Sequence, residues 1–168
     1  SRPGVHDTIF PGLNGRMSEI HAIIGRWGLS QVEKEAEARN HFVKQYKDKL
    51  SGVSGLTYQS IADEDRCSYK DFGIRVHEEK FGLSRDQLFK VMQAENIECK
   101  TYFYPTVHHH TYFKKDSTED SCPSTTKLSH EMICPPLFGS MTTAQLKAAS
   151  SAIIAAHENA DKIKEILG

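Results

Sequence analysis

The sequence predicts an α+β fold: one long N-terminal helix, then a small antiparallel sheet covered by further helices. Three observations predict it. Apolar residues recur at three- and four-residue spacing over residues 17–50. Residues 69–76 alternate apolar with polar or small, the period of a half-buried strand. Two capping boxes, Ser84-Arg85-Asp86-Gln87 and Thr142-Thr143-Ala144-Gln145, open helices on either side of the remaining strand candidates. A chain of 168 residues is long enough to bury one real core.

The long helix comes first. Met17, Ile20, Ile24 and Trp27 form an apolar stripe, which Val32, Ala36, Val43, Tyr46 and Leu50 extend and broaden. Glu33-Lys34-Glu35 and residues 37–39 supply the solvated face, and Lys44, Lys47 and Lys49 belong to it. Gly25 and Gly28 each cost an exposed helix about 1 kcal/mol relative to Ala, so close packing is the expected reason for them. Trp27 reads as a packing residue, in a core or an interface, rather than a cofactor stacker. Gly52 and Gly55 end the element.

Residues 56–58 read as a short strand and Asp63-Glu64-Asp65 as a loop. Within 69–76, Phe72, Ile74 and Val76 face one way and Asp71, Gly73 and Arg75 the other. The helix opened by Ser84 runs to about Asn96 and buries Leu88, Val91 and Met92. Residues 98–103 return as a strand that Pro105 ends. Residues 108–122 are polar and irregular, and 124–132 form a short helix. Pro135-Pro136 interrupts the backbone before Leu137-Phe138. The last helix runs to Leu167, with Leu146, Ile153, Ile154, Ile163 and Ile166 as core candidates.

Composition excludes some partners. Net charge is −1 and the signs are mixed along the chain, so nothing draws it to nucleic acid or to an acidic membrane. No apolar run is long enough to cross a bilayer, and no apolar leader is visible at the N-terminus. Cys67, Cys99, Cys122 and Cys134 form no C-x-x-C pair, so reduced thiols in a cytoplasmic protein are expected. A zinc module built from Cys122, Cys134 and the histidines is an alternative that the wide spacing does not support.

Two segments can carry binding. In residues 12–20, G-L-N-G-R-M-S-E-I, a polar loop enters the first helix, with Ser18 and Glu19 at its start. Free backbone N–H groups and the positive end of the helix dipole converge at such a junction, and Asn14 and Arg16 add an amide and a guanidinium suited to phosphate. The plainer alternative, favoured on spacing alone, is a capped helix with Asn14 in an Asx-turn and Arg16 solvated or paired with Glu19. The second segment holds His108, His109 and His110. Adjacent side chains diverge on a regular element, and no acidic or cysteine partner has ligand spacing, so a solvated loop and no metal are expected.

Three segments in order carry a resemblance that spans nearly the whole chain. The run G-L-N-G-R-M-S-E-I-H-A resembles the G-x-N-x-R-M-S-E-I-x-A signature of the DegT/DnrJ/StrS sugar aminotransferases, pyridoxal-phosphate enzymes acting on nucleotide-linked keto-sugars. I-E-C-K-T-Y-F-Y-P-T-V-H, ending at His108, is similar to the family's G-I-x-T-x-x-Y-x-P-L-H. I-C-P-P-L-F-G-S-M-T, ending at Thr142, is similar to its L-x-L-P-L-x-x-x-M-T. The resemblance implies that residues 1–16 lead out of a large domain absent from this chain, and that 17–168 form the small C-terminal domain of a fold-type-I aminotransferase. The large domain would carry the Schiff-base lysine, the aspartate facing the pyridine nitrogen and most of the phosphate cradle.

The resemblance also implies roles. Asn14 would reach across a homodimer to the cofactor phosphate in the partner's site, with Arg16 adding a charge-assisted bond. Tyr104 and His108 would approach the sugar-nucleotide substrate, and an amino acid, glutamate by expectation, would donate the amino group. Leu13 and Gly15 stand where an aromatic or similar side chain is usual, which weakens any stacking or hydroxyl contact from the first loop; in the second segment Thr106-Val107 stands where Pro-Leu is usual. No lysine here matches the Schiff-base motif, so the chain alone is expected to be inactive, with no catalytic residue of its own. The alternative is a free-standing, non-catalytic binding domain of the same fold.

Overall fold

The computed structural model describes residues 15–113 and 120–167. Asn14, the rest of the leading loop and part of the polar segment after His110 lie outside them. The described residues form an α+β fold of helices and one three-stranded antiparallel sheet. The chain divides into two compact units, residues 1–33 and 34–168.

The first unit contains the opening turns of helix α1 (Glu19–Lys49). Ser18 caps it: its hydroxyl lies 2.7 Å from His21 Nδ1 and accepts the His21 N–H at 3.4 Å. The periodicity predicted here is helical, and the helix is present. The predicted packing is not met among the described residues. Met17, Ile20, Ile24 and Trp27 are 62–75% exposed, with Ile23 beside them, and a Cβ added at Gly25 or Gly28 meets nothing within 4 Å.

The second unit carries the core. The later turns of α1 bury Ala36, Val43 and Tyr46, and Leu50 follows just beyond, as the stripe predicts; Val32 stays exposed. Strands β1 (Leu56–Tyr58), β2 (Ile74–Val76) and β3 (Met132–Ile133) pair antiparallel in that order. The register sets Leu56 opposite Val76 and Ile74 opposite Ile133, so the central strand buries Ile74 and Val76 together. Phe72 packs among Tyr46, Tyr58 and Tyr69, with ring centroids 5.5–6.2 Å apart.

Helices cover the sheet. A short helix α2 (Glu78–Phe81), unforeseen in the sequence, ends at Gly82 in the left-handed conformation. Both capping boxes form as predicted, at Ser84 for α3 (Arg85–Ala94) and at Thr142 for α5 (Thr143–Glu158). Leu88 and Met92 of α3 and Leu146 and Ile153 of α5 are fully buried. Helix α4 (Pro123–Glu131) opens on a proline, whose missing N–H costs nothing in the first turn, and leads directly into β3.

Three expectations are corrected. The strand over 69–76 is only Ile74–Val76: β1 pairs with those three residues alone, residues 70–71 bend, and Tyr69 before them has a left-handed backbone (φ 44°); the alternating burial of Phe72, Ile74 and Val76 still holds. The strand over 98–103 shrinks to one bridge, in which Lys100 and Cys134 exchange backbone bonds of 2.9 and 2.8 Å. Both of its extensions are blocked. Pro136 has no N–H to donate, and its carbonyl accepts the Tyr46 hydroxyl. At the other end the Met132 N–H closes α4 on Leu128 and its carbonyl accepts Arg85 Nη1. The last helix breaks at Asn159, whose side-chain amide donates back to the Ala155 carbonyl at 2.9 Å, and α6 (Ala160–Leu167) follows. Ile154 and Ile163 are half-buried and Ile166 is exposed.

Candidate functional site

The residues nominated by sequence lie in two places. Arg16 is exposed, ahead of the first turn of α1, and among the described residues it makes no ion pair with Glu19. Its neighbour Asn14 is outside the described residues. Tyr104 and His108 lie on the loop between the Lys100 bridge and α4.

That loop is seated on one face of α4. Thr126 and His130 are four residues apart, hence neighbours on the helix surface. The Tyr104 ring meets the edge of His130, with centroids 4.9 Å apart, and His108 Nε2 lies 3.1 Å from the Thr126 hydroxyl. Tyr104 and His108 are thus brought to adjacent turns of the same face. The buried Arg85 supports this corner. Its Nε donates to Asp86 at 2.6 Å, its Nη1 to the Met132 carbonyl at 3.0 Å, and its guanidinium lies 6.0 Å from the Tyr104 ring centroid. Tyr104 remains 59% exposed, available to a ligand.

A turn of 3-10 helix, Val107–His109, shapes the histidine run. On a regular element neighbouring side chains would diverge. In this tight turn the rings of His108 and His109 instead approach to 4.2 Å. The buried Thr106 hydroxyl lies 3.3 Å from His108 Nε2 and 3.1 Å from His109 Nδ1. His110 turns away, to the Pro105 carbonyl at 3.2 Å.

Asp120, which sequence reading passed over, enters from the far side of the loop. Its carboxylate stands 3.1 Å from His108 Nε2 and accepts the Cys122 N–H at 2.9 Å. The Thr126 hydroxyl, the Cys122 N–H and the two imidazoles hold its carboxyl below the usual carboxylate range. Potential ligand atoms of His108, His109 and Asp120 all lie within 4.8 Å of one another. A twelve-residue separation across a polar loop carries no spacing signal, so only the fold reveals this convergence.

The cysteines are free thiols, as predicted. Cys134 is buried beside the Lys100 bridge and Cys122 is exposed, and among the described residues no metal-ligand cluster includes either. Cavities among the described residues also lie elsewhere. A cleft of about 240 Å³ borders Asp71, Lys100, Cys134 and Phe138, and an apolar groove of about 650 Å³ runs between α3, α5 and α6. Neither is lined by Tyr104 or His108. The larger one is walled mostly by alanine and isoleucine, which offers shape but little chemistry.

Comparison with known proteins gives a consistent family. The family model described as the DegT/DnrJ/EryC1/StrS aminotransferase family matches residues 2–154. A dTDP-4-amino-4,6-dideoxy-D-glucose transaminase of Escherichia coli is 28% identical over 130 residues, which cover 76% of this chain and 35% of the relative. Its counterpart in Shigella dysenteriae is 25% identical, over 84% of this chain and 38% of the relative. The chain therefore spans little more than a third of these curated relatives. Among solved structures, a DegT DnrJ EryC1 StrS aminotransferase from Brucella abortus superposes with a TM-score of 0.75 at 23% identity, covering 90% of this chain and 39% of that one. DesI, solved in the presence of its TDP-sugar product, gives a TM-score of 0.80 at 17% identity, covering 92% and 39%.

Proposed function

The chain belongs to the DegT/DnrJ/EryC1/StrS aminotransferase family, and we propose that it is the C-terminal domain of a pyridoxal-phosphate-dependent aminotransferase acting on a nucleotide-linked keto-sugar. The observation that carries the reading is the family match over residues 2–154, which takes in both nominated segments, the Asn14–Arg16 loop and the Tyr104–His108 loop. The transaminases named among its relatives act on a dTDP-linked amino-sugar, which supports a deoxythymidine-diphosphate sugar as the substrate class.

Among the described residues, the fit to pyridoxal phosphate rests on Arg16. An exposed guanidinium ahead of a helix N-terminus is a donor set suited to a phosphate dianion. It offers nothing to the pyridine ring or the aldehyde, so the remaining contacts belong to another part of the protein. When bound, the cofactor supplies the electron sink for amino transfer. This chain's own residues bind and orient. Asn14 and Arg16 grip the phosphate, in the site of a partner subunit. Tyr104, held by His130 and Arg85, offers an exposed aromatic face and hydroxyl to the sugar nucleotide, with His108 one helical turn away.

The isolated chain does not catalyse transamination. The test supplies it with pyridoxal phosphate, glutamate and a dTDP-keto-sugar. The expected result is no amino-sugar, and cofactor that dialyses away. Turnover, or cofactor retained at one lysine after dialysis, would overturn the reading. In the complete protein, Asn14→Ala and Arg16→Ala raise the cofactor dissociation constant, by roughly tenfold for each lost charge-assisted bond.

A further inference from the structure

His108, placed above on the sugar-nucleotide loop, also forms a second constellation with His109 and Asp120, two residues that the transaminase reading does not use. We propose that these three side chains bind one divalent transition-metal ion of the zinc type, with water in the remaining position. The proposal does not depend on the transaminase reading, since the ion requires neither cofactor nor sugar.

The geometry suits such an ion. Neighbouring ligand atoms on a tetrahedral zinc, bound at about 2.0–2.1 Å, stand roughly 3.3 Å apart. His108 Nε2 and Asp120 Oδ1 are already 3.1 Å apart, and the ligand atoms of all three residues fall within 4.8 Å. The remaining adjustment is at most about 1.5 Å, and His109, the exposed member of the trio, can make it by turning its ring. His108 and Asp120 are only 22% and 31% exposed along their side chains, so less entropy is lost in fixing them.

A shell of fixed partners surrounds the three. The buried Thr106 hydroxyl lies within hydrogen-bond distance of both imidazoles, and the Cys122 N–H holds the carboxylate. Thr126, anchored on α4, lies within 3.1 Å of His108 Nε2. The Cys122 bond orients the carboxylate and leaves it ligand capacity, as such contacts do at metal sites, whereas the hydroxyls at His108 Nε2 meet the ligating atom itself and are displaced from it when the ion binds. Two imidazoles and one carboxylate favour zinc or a neighbouring first-row ion over calcium or magnesium, which take oxygen ligands.

The test uses the untagged chain, loaded with Zn²⁺, dialysed, and titrated against a chromophoric chelator. One tightly held ion per chain is expected. Asp120→Asn and His109→Ala should each weaken Zn²⁺ at least tenfold with the circular dichroism spectrum unchanged. Cys122→Ser and His110→Ala should stay within twofold of the parent. With Co²⁺ in place of zinc, ligand-field bands should appear in the visible without thiolate charge-transfer absorption in the near ultraviolet. Sub-stoichiometric binding, unaltered affinity in Asp120→Asn and His109→Ala, or loss of the ion in Cys122→Ser or His110→Ala would each overturn the site.

Discussion

Tyr46 and Pro136 are ninety residues apart in sequence, and the phenolic O–H of one donates to the carbonyl of the other at 3.0 Å. The bond ties the inner face of α1 to the chain leaving β3. Tyr46 is completely buried, and burial, with a smaller contribution from Cys99, pushes its phenol well above the ordinary tyrosine range, so it remains a donor under ordinary conditions.

Tyr46→Phe keeps the ring among Phe72 and its neighbours but strips the Pro136 carbonyl of this donor. A buried acceptor left unpaired costs about 1–3 kcal/mol. The variant should unfold at lower urea with an unchanged slope. An unchanged midpoint would mean that water reaches the carbonyl.

Cys99 and Cys134 make the fold sensitive to alkali. Burial first, then the mutual repulsion of their thiolates, pushes Cys99 up to about 12; burial and Asp71 push Cys134 up to about 11. Each thiol holds its proton more tightly folded than unfolded. Its contribution to stability is therefore complete below about pH 9, the unfolded value, and is lost as the pH climbs through 11 towards 12. Denaturation midpoints should fall across that window. Iodoacetamide at neutral pH should label exposed Cys122 first and leave Cys99 and Cys134 until the chain unfolds. Prompt labelling of all four thiols would contradict the burial.

Glycines in the two units should respond in opposite ways. Gly55 has φ 79°, and a Cβ there would clash with the Phe81 nitrogen, a backbone atom that cannot step aside. Gly55→Ala should cost more than about 2 kcal/mol, combining a left-handed penalty with a clash. Gly28 lies mid-helix with open space around it, so Gly28→Ala should strengthen α1 by about 1 kcal/mol, read as helicity near the start of thermal melting.

The local grammar of this chain was legible in its sequence, and the non-local pairings were not. Ser84 and Thr142 announce their helices because a capping box is complete within four residues. Leu56–Tyr58 and the alternation ending at Val76 were readable for the same reason. The two-residue strand at Met132 and the arrested strand at Lys100 depend on which backbone groups distant residues have already taken, namely Arg85 on Met132 and Tyr46 on Pro136. The corner at α4 divides likewise. Tyr104 and His108 are nominated by the family resemblance that their short stretch carries, whereas Asp120 becomes visible only once the loop folds back on Thr126.

Trp27 provides the last test, because it is the single tryptophan of the chain and is 68% exposed among Met17, Ile20, Ile23 and Ile24, themselves 62–75% exposed. A contiguous apolar face of this kind attracts a partner surface. Its emission in dilute solution should be that of a solvated indole, readily quenched by iodide. As concentration rises, the emission should shift to the blue and quenching should fall while sedimentation reports self-association. Ile24→Glu places a charge on the face without touching the buried core and should abolish both changes together. Emission already blue and protected at high dilution would show that the face is covered within a single chain.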